Sequence, residues 1–280
     1  MRKISIREGI RCDKIQQAEQ TEIVQNLDGE LYAVLFNAND GSHSNDIRRV
    51  YYSLMDAGAS DSNILVLEGD GSTRNRFVDG PATIKSLDEA FDLIRQTAKP
   101  NDRLLSYVTN HGNIAYGQSY FNAHDGTIWE GDFEKITSNL PVNLGLFYFA
   151  QCNSGGFAER MGYGRNIGMS SASREENSHG GLAINRATKE EIKSRSVGNY
   201  FSQFLFPEIM GKGKTIESAF DEAVFEDTSD ERLNGIGRKE GFMYNDGSLG
   251  LETPQLRWQN ADPSKLCLFP YKLDFMNEKR

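Results

Sequence analysis

Residues 144–150 read LGLFYFA and run straight into Gln151-Cys152-Asn153-Ser154-Gly155-Gly156. The apolar run is nearly continuous rather than alternating. That pattern suits a strand covered on both faces, as in a parallel sheet flanked by helices. Working outward, runs of the same kind occur at 31–38 (LYAVLFNA), 63–67 (NILVL), 104–109 (LLSYVT) and 167–171 (IGMSS). Between them lie stretches with helical spacing. Residues 46–57 carry Ile47, Val50, Tyr51, Leu54 and Met55; residues 82–98 carry Ile84, Leu87, Phe91 and Ile94. Shorter helical candidates are 132–140, 199–210 and 215–225. Strands alternating with helices predict an α/β fold with a mostly parallel sheet sandwiched by helices, an α/β/α three-layer arrangement.

The remaining polar, Gly-rich or charged stretches, 69–81, 174–196 and 229–263, read as loops. Long loops inside a compact domain are often lids or binding loops. The end of the chain, 265–275 (KLCLFPYKLDF), reads as an edge strand, because Pro270 is incompatible with a central one. One domain is expected over 1–280. Its core spans about 31–225, preceded by an N-terminal extension and followed by a long C-terminal loop region.

Composition bounds the function. The 280 residues carry a formal net charge of −9, so the chain as a whole has no basic footprint for nucleic acid. No long uncharged apolar run suggests a membrane span. The opening MRKISIREGIRCDK lacks the apolar core of a signal peptide, which makes the cytoplasm the expected compartment. Cys12, Cys152 and Cys267 are far apart and form no CxxC pair, so neither a zinc site nor a disulfide framework is indicated. Cys12 and Cys267 read as packing residues.

Two strands end in reactive side chains. After 104–109 comes Asn110-His111-Gly112; after 144–150 comes Gln151-Cys152. Ligands of open α/β sheets bind outside the carboxyl ends of the strands. If the two strands are parallel neighbours, His111 and Cys152 emerge on one edge, where an imidazole can help generate the nucleophilic thiolate. The amides of Gly112 and Cys152 are candidates for an oxyanion hole.

YVTNHGN followed by FYFAQCNSGGF resembles the catalytic pair of the caspase-like cysteine peptidases. A caspase signature would have Gln-Ala-Cys where this chain has Ala150-Gln151-Cys152. The Cys-x-Ser-Gly pattern is closer to legumain and its prokaryotic relatives. GMSSASREENS resembles the legumain segment lining the pocket for P1, the residue on the acyl side of the scissile bond. YAVLFNANDGSHSND resembles the first strand and the turn after it. The resemblance covers roughly 31–225, by order of elements. It implies a caspase-type sheet and a thiol protease: a cofactor-free endopeptidase hydrolysing peptide bonds through Cys152 and His111. The implied partner is a protein or peptide substrate. It further implies that Asn39 or Asn37 orients His111, and that long loops bind substrate or are cleaved for activation. Alternatives with the same fold are a transpeptidase using the same dyad and a non-catalytic adaptor.

The resemblance also maps a P1 pocket onto Ser42, Ala150, Gln151, Ser170, Ser171, Ala172, Ser173 and Asn199. Legumain-type pockets carry charges where this chain has Ser42, Ala150 and Asn199, which points to an uncharged P1 residue. Arg174 is the residue most able to restore charge selectivity by swinging in.

Other motifs are weaker. Gly211-Lys212-Gly213-Lys214-Thr215 lacks the first glycine of a P-loop and falls between helices, so it reads as a turn. His43, His124 and His179 lack metal-ligand spacing and read as surface or turn residues. Gly155-Gly156 could hold an anion at a helix start, but a role in the nucleophile turn is simpler. Glu175-Glu176, Glu190-Glu191 and Asp230-Glu231 read as solvated loop charges rather than a cation site.

Overall fold

Cutting the continuous apolar runs at their polar boundaries gives the elements found in the computed structural model, which describes residues 29–39, 41–72, 75–184, 191–199, 201–211, 214–229, 242–243, 249–250 and 253–269. In chain order these are β1 (Leu31–Asn37), α1 (Ser42–Asp56), β2 (Ile64–Glu68), α2 (Ile84–Thr97), β3 (Arg103–Val108), β4 (Gly112–Ala115), β5 (Gln118–Ala123) and β6 (Gly126–Trp129). Then come α3 (Glu130–Ile136), β7 (Leu144–Phe149), α4 (Gly155–Met161), β8 (Asn166–Ser170), β9 (Gly181–Ile184) and β10 (Glu191–Val197). The chain continues with α5 (Phe201–Ile209), α6 (Ile216–Ser229), β11 (Phe242–Met243), β12 (Leu249–Gly250) and β13 (Gln255–Trp258).

The main sheet has the order β13-β8-β7-β3-β1-β2. Its pairs are parallel apart from β13, which runs antiparallel to β8. The α/β class and the mostly parallel sheet are as the sequence predicts. Alternation divides the core in two. Ala33, Leu35, Leu105, Tyr107, Leu146 and Tyr148 face the helices α1, α5 and α6. Val34, Phe36, Leu104, Val108, Phe147 and Phe149 face α2, α3 and α4. Both sides of each central strand are buried, which is why those runs show no polar alternation.

α1 starts earlier than the apolar spacing alone suggests, at Ser42, just after Gly41 takes φ 76°. Its stripe of Ile47, Val50, Tyr51 and Leu54 lies on the sheet. α2 is capped by Thr83, whose hydroxyl oxygen accepts the Ser86 N–H at 3.0 Å.

Several expectations need correction. Residues 174–196 are not simply a loop: β9 and β10 form an antiparallel pair there. Within 229–263 lie the short β11–β12 pair and β13, which supplies the antiparallel edge expected further along. The predicted edge strand at 265–275 is absent over 265–269, and 270–275 lie outside the described residues. The stretch after His111 forms a three-stranded antiparallel sheet, β4-β5-β6. Its strands are short, and only β5 alternates between buried and exposed positions, so no long apolar run announces them. Cys267 is buried, as expected of a packing residue, but it is also disulfide-bonded; Cys12 lies outside the described residues. Among the described residues no helix is long and apolar enough to cross a membrane.

Candidate active site

β3 and β7 are parallel neighbours, with Val108 opposite Phe149. The ladder continues one step, the Ala150 N–H donating to the Val108 carbonyl at 2.8 Å. His111 and Cys152 therefore leave the same edge of the sheet. His111 is exposed and Cys152 half-buried, so both are open to a substrate. Gly112 lies hard against the nucleophile turn. A Cβ on it would stand 2.4 Å from the Cys152 carbonyl oxygen and 2.6 Å from Gln151 Cγ. Only glycine fits that approach, and it brings the two residues of the candidate oxyanion hole into backbone contact.

The turn after Cys152 is built around Asn153, which sits in the left-handed region at φ 56°. Asparagine tolerates that conformation better than most residues. Its N–H donates to the Glu176 carbonyl at 2.7 Å and its Nδ2 to the Arg174 carbonyl at 2.9 Å. The segment 174–178 thus runs beside the nucleophile. The Cys152 thiol points at the Ser178 carbonyl, 3.7 Å away, and the Ser178 hydroxyl donates to the Ala150 carbonyl at 2.8 Å. Glu176 is no free loop charge. Its carboxylate accepts from the Ser173 N–H at 3.2 Å and from the N–H and hydroxyl of Thr253 at 2.9 and 3.0 Å. Asp230, Glu231 and Glu190 lie outside the described residues.

Asn37 and Asn39 make different contacts. Asn37 Oδ1 accepts the Asn39 N–H at 2.9 Å and so shapes the turn. Asn39 Nδ2 donates to Asn110 Oδ1 at 2.6 Å, and the same oxygen accepts the His111 N–H at 2.7 Å. Asn39 thus reaches His111 through Asn110 and its backbone.

The mapped P1 residues divide into two groups. Ala150 packs on the face of the sheet covered by α1 and α5. By alternation with Met169, Ser171 shares that face; it is fully buried, and its hydroxyl has no partner among the described residues. Ser42 opens α1, and Ser173 is half-buried. Ala172 is buried, and its carbonyl accepts from the Ser170 hydroxyl at 2.9 Å. Asn199 serves the architecture instead. Its Oδ1 accepts from the Ser202 N–H, the Ser202 hydroxyl and the Tyr148 hydroxyl at 2.8, 2.7 and 3.0 Å, holding the start of α5. Gln151 departs from the mapping. It is fully buried under Gly112, and its amide atoms are unpartnered among the described residues.

Arg174 does not swing towards P1. It clasps both oxygens of Glu130 at 3.1 and 2.8 Å, Glu159 at 2.8 Å, and the Gly117 carbonyl at 3.1 Å. The Glu130 side chain is only 3% exposed, and it also pairs with Arg160 at 3.1 Å and accepts the Ser119 N–H at 3.0 Å. A Cβ on Gly156 would stand 2.1 Å from Glu130 Oε2, so a carboxylate occupies the place an anion would need. Breaking one side of a buried pair leaves a charge without compensation. Because Arg160 remains, Arg174→Ala is expected to cost ~2 kcal/mol of unfolding free energy in urea titrations.

Behind His111 lies a cluster that the sequence reading does not anticipate. His43, expected at the surface or in a turn, is buried, with its ring 5.3 Å from that of His111 at an interplanar angle of 78°. His43 Nδ1 lies 2.9 Å from the Thr109 hydroxyl, which lies 3.2 Å from Asp46 Oδ2. Burial, and secondarily the neighbouring His111, press the His43 pKa down to about 4. Burial pushes the Asp46 carboxyl up to about 7, against the pull of Arg49 and of hydrogen bonds from Thr109, Gly198 and Asn199. The signal in the sequence is a polar pair, His43 and Asp46, at i and i+3 on the buried face of α1.

Concavities of ≈ 330 and ≈ 550 Å³ occur elsewhere, the first lined by Tyr116, Gln118 and Trp129, the second by Ile84, Lys85 and Asp125. Neither includes His111 or Cys152. The P-loop-like stretch carries no such site among its described residues: Lys214 is salt-bridged to Glu208 and Glu222. No protein-family model matches this chain, and no curated protein matches it either.

Proposed function

We propose that the chain is a cysteine endopeptidase with Cys152 as nucleophile and His111 as base and acid. What carries this reading is the arrangement at one sheet edge: His111-Gly112 and Cys152 follow neighbouring parallel strands, with Gly112 against the Cys152 backbone. In this mechanism the Cys152 thiolate attacks the scissile carbonyl carbon. The resulting oxyanion is stabilised by the amides of Gly112 and Cys152. Collapse expels the amine, which takes a proton from imidazolium His111 and leaves a thioester on Cys152. Water, deprotonated by His111, then attacks the thioester and releases the acid. A transpeptidase would differ only in admitting an amine at that last step. Treatment with a peptide acyloxymethyl ketone tests the reading against a non-catalytic adaptor: the peptidase gives a stable adduct on Cys152, and an inert thiol rejects it.

The same proposal carries a specificity. His43 is held neutral, Arg174 is tied to Glu130 and Glu159, and Ser42, Ala150 and Ser171 bring no charge. A charged P1 side chain would lose its hydration without gaining an opposite charge. A diverse peptide library should therefore show cleavage after small polar or apolar residues ahead of Asp, Lys or Arg. A profile dominated by those three would overturn the assignment of the pocket. A cytoplasmic compartment belongs to the same proposal.

A further inference from the structure

His111 is exposed, and its imidazole rests edge-to-face on the buried ring of His43. His43 is in turn fixed from behind. Asp46 Oδ2 accepts the N–H groups of Gly198 and Asn199 at 2.9 and 3.1 Å, both of which can only donate. The Thr109 hydroxyl, fully buried, has a single proton, and Asp46 is its acceptor. Its oxygen can then accept from His43 Nδ1–H, the tautomer that continues the chain from His43 through Thr109 to Asp46. Gly198 closes the cluster: a Cβ there would stand 2.2 Å from His43 Nδ1 and 2.7 Å from Asp46 Oδ2. The ionisable groups facing His43 are His111 on the β3–β4 turn and Asp46 on its own helix, with Arg49 adding positive charge near Asp46.

We propose that His43, locked by Thr109 and Asp46, is a positioning residue for His111: it walls the imidazole on one side and fixes the direction in which that ring is presented to Cys152. The proposal rests on the peptidase reading for its biological meaning, though not for its test. Two features suit the arrangement to this role. A ring that stays neutral does not compete with His111 for the proton taken from the thiol. A ring anchored through a fully buried hydroxyl does not turn when a substrate arrives. Since Asp46 also grips 198–199, the wall is tied to the start of the segment leading into α5. Small misplacements of a catalytic group cost about 10²-fold in rate.

The test uses the full chain and three variants, His43→Ala, His43→Phe and Thr109→Val, each checked by thermal unfolding. Two readouts are taken: kcat and KM on a cleaved peptide, and the rate of Cys152 alkylation by iodoacetamide from pH 5 to 9. His43→Ala is expected to lower kcat about 100-fold with KM within about twofold, and to slow alkylation at neutral pH in step. His43→Phe, which restores the wall but not the anchor, should recover part of the loss. Thr109→Val, close to isosteric and safe if His43→Ala fails to fold, should lower both rates about tenfold. Parent-like kcat and an unchanged alkylation profile in a folded Thr109→Val or His43→Ala overturn the proposal, as does a loss confined to KM. If the parent cleaves no peptide but the variants still slow alkylation, the peptidase reading fails and the positioning role stands.

Discussion

Purified Cys152→Ala is expected to fold and to lose turnover by about 10⁴-fold or more, because the nucleophile and its base act as a unit. Cys152 is half-buried at the end of a strand ladder and contributes little to either core. Circular dichroism and the unfolding midpoint should therefore stay near the parent's. His111→Ala should lose nearly as much, and the double variant little more, since neither residue acts without the other. Near-parent activity in Cys152→Ala would remove the dyad outright. Retained activity in His111→Ala alone would move the base elsewhere.

Gly112→Ala is the second large effect. A methyl group there would meet the Cys152 carbonyl oxygen at 2.4 Å, a distance that backbone must relieve by moving. Either β4 lifts away, carrying the Gly112 amide with it, or the nucleophile turn shifts. Both displace the oxyanion donors, whose individual loss costs about 10²–10³ in kcat. The expected signature is a fall of that size in kcat with a peptide substrate. Alkylation of Cys152 by a small reagent should change far less, because it forms no oxyanion. Equal losses in the two assays would assign Gly112 to packing of the turn instead.

Much of this arrangement is readable from the chain. The continuous runs around Val34, Leu105 and Phe147 give a buried sheet because no other common element hides both faces of so short a segment. His111 and Cys152 stand out because each follows such a run and precedes small residues. What escapes is local and polar. β4–β6 escape because short, half-exposed strands, with Tyr116 and Gly117 at a turn, leave a faint pattern. β13 escapes because an edge strand needs only one partner and carries half-exposed residues such as Gln255 and Leu256. His43 escapes because apolar spacing starts the helix at Asp46, which cuts off its first turn. The engagement of Arg174 with Glu130 joins residues far apart in sequence, and charge alone does not reveal such a pairing. The difference in contacts between Asn37 and Asn39 lies in a hydrogen bond to Asn110, a residue whose own sequence context says only that it follows a strand.

The antiparallel strand at the border of the sheet has a consequence for how copies of this protein tolerate one another. β13 occupies the free side of β8, pairing Gln255 with Ser170 and Trp258 with Ile167. Without it, β8 would offer a row of open peptide groups immediately beside residues 170–174. An unpaired rim of that kind is a template for further chains. The short, partly charged β13, with Arg257 among its residues, acts as a selvedge: it finishes the weave where a second molecule would otherwise be stitched on. Proteolytic loss of 253–258 would thus threaten solubility as well as the Thr253–Glu176 contact beside the nucleophile, and damage to this protein should be sought among its aggregates.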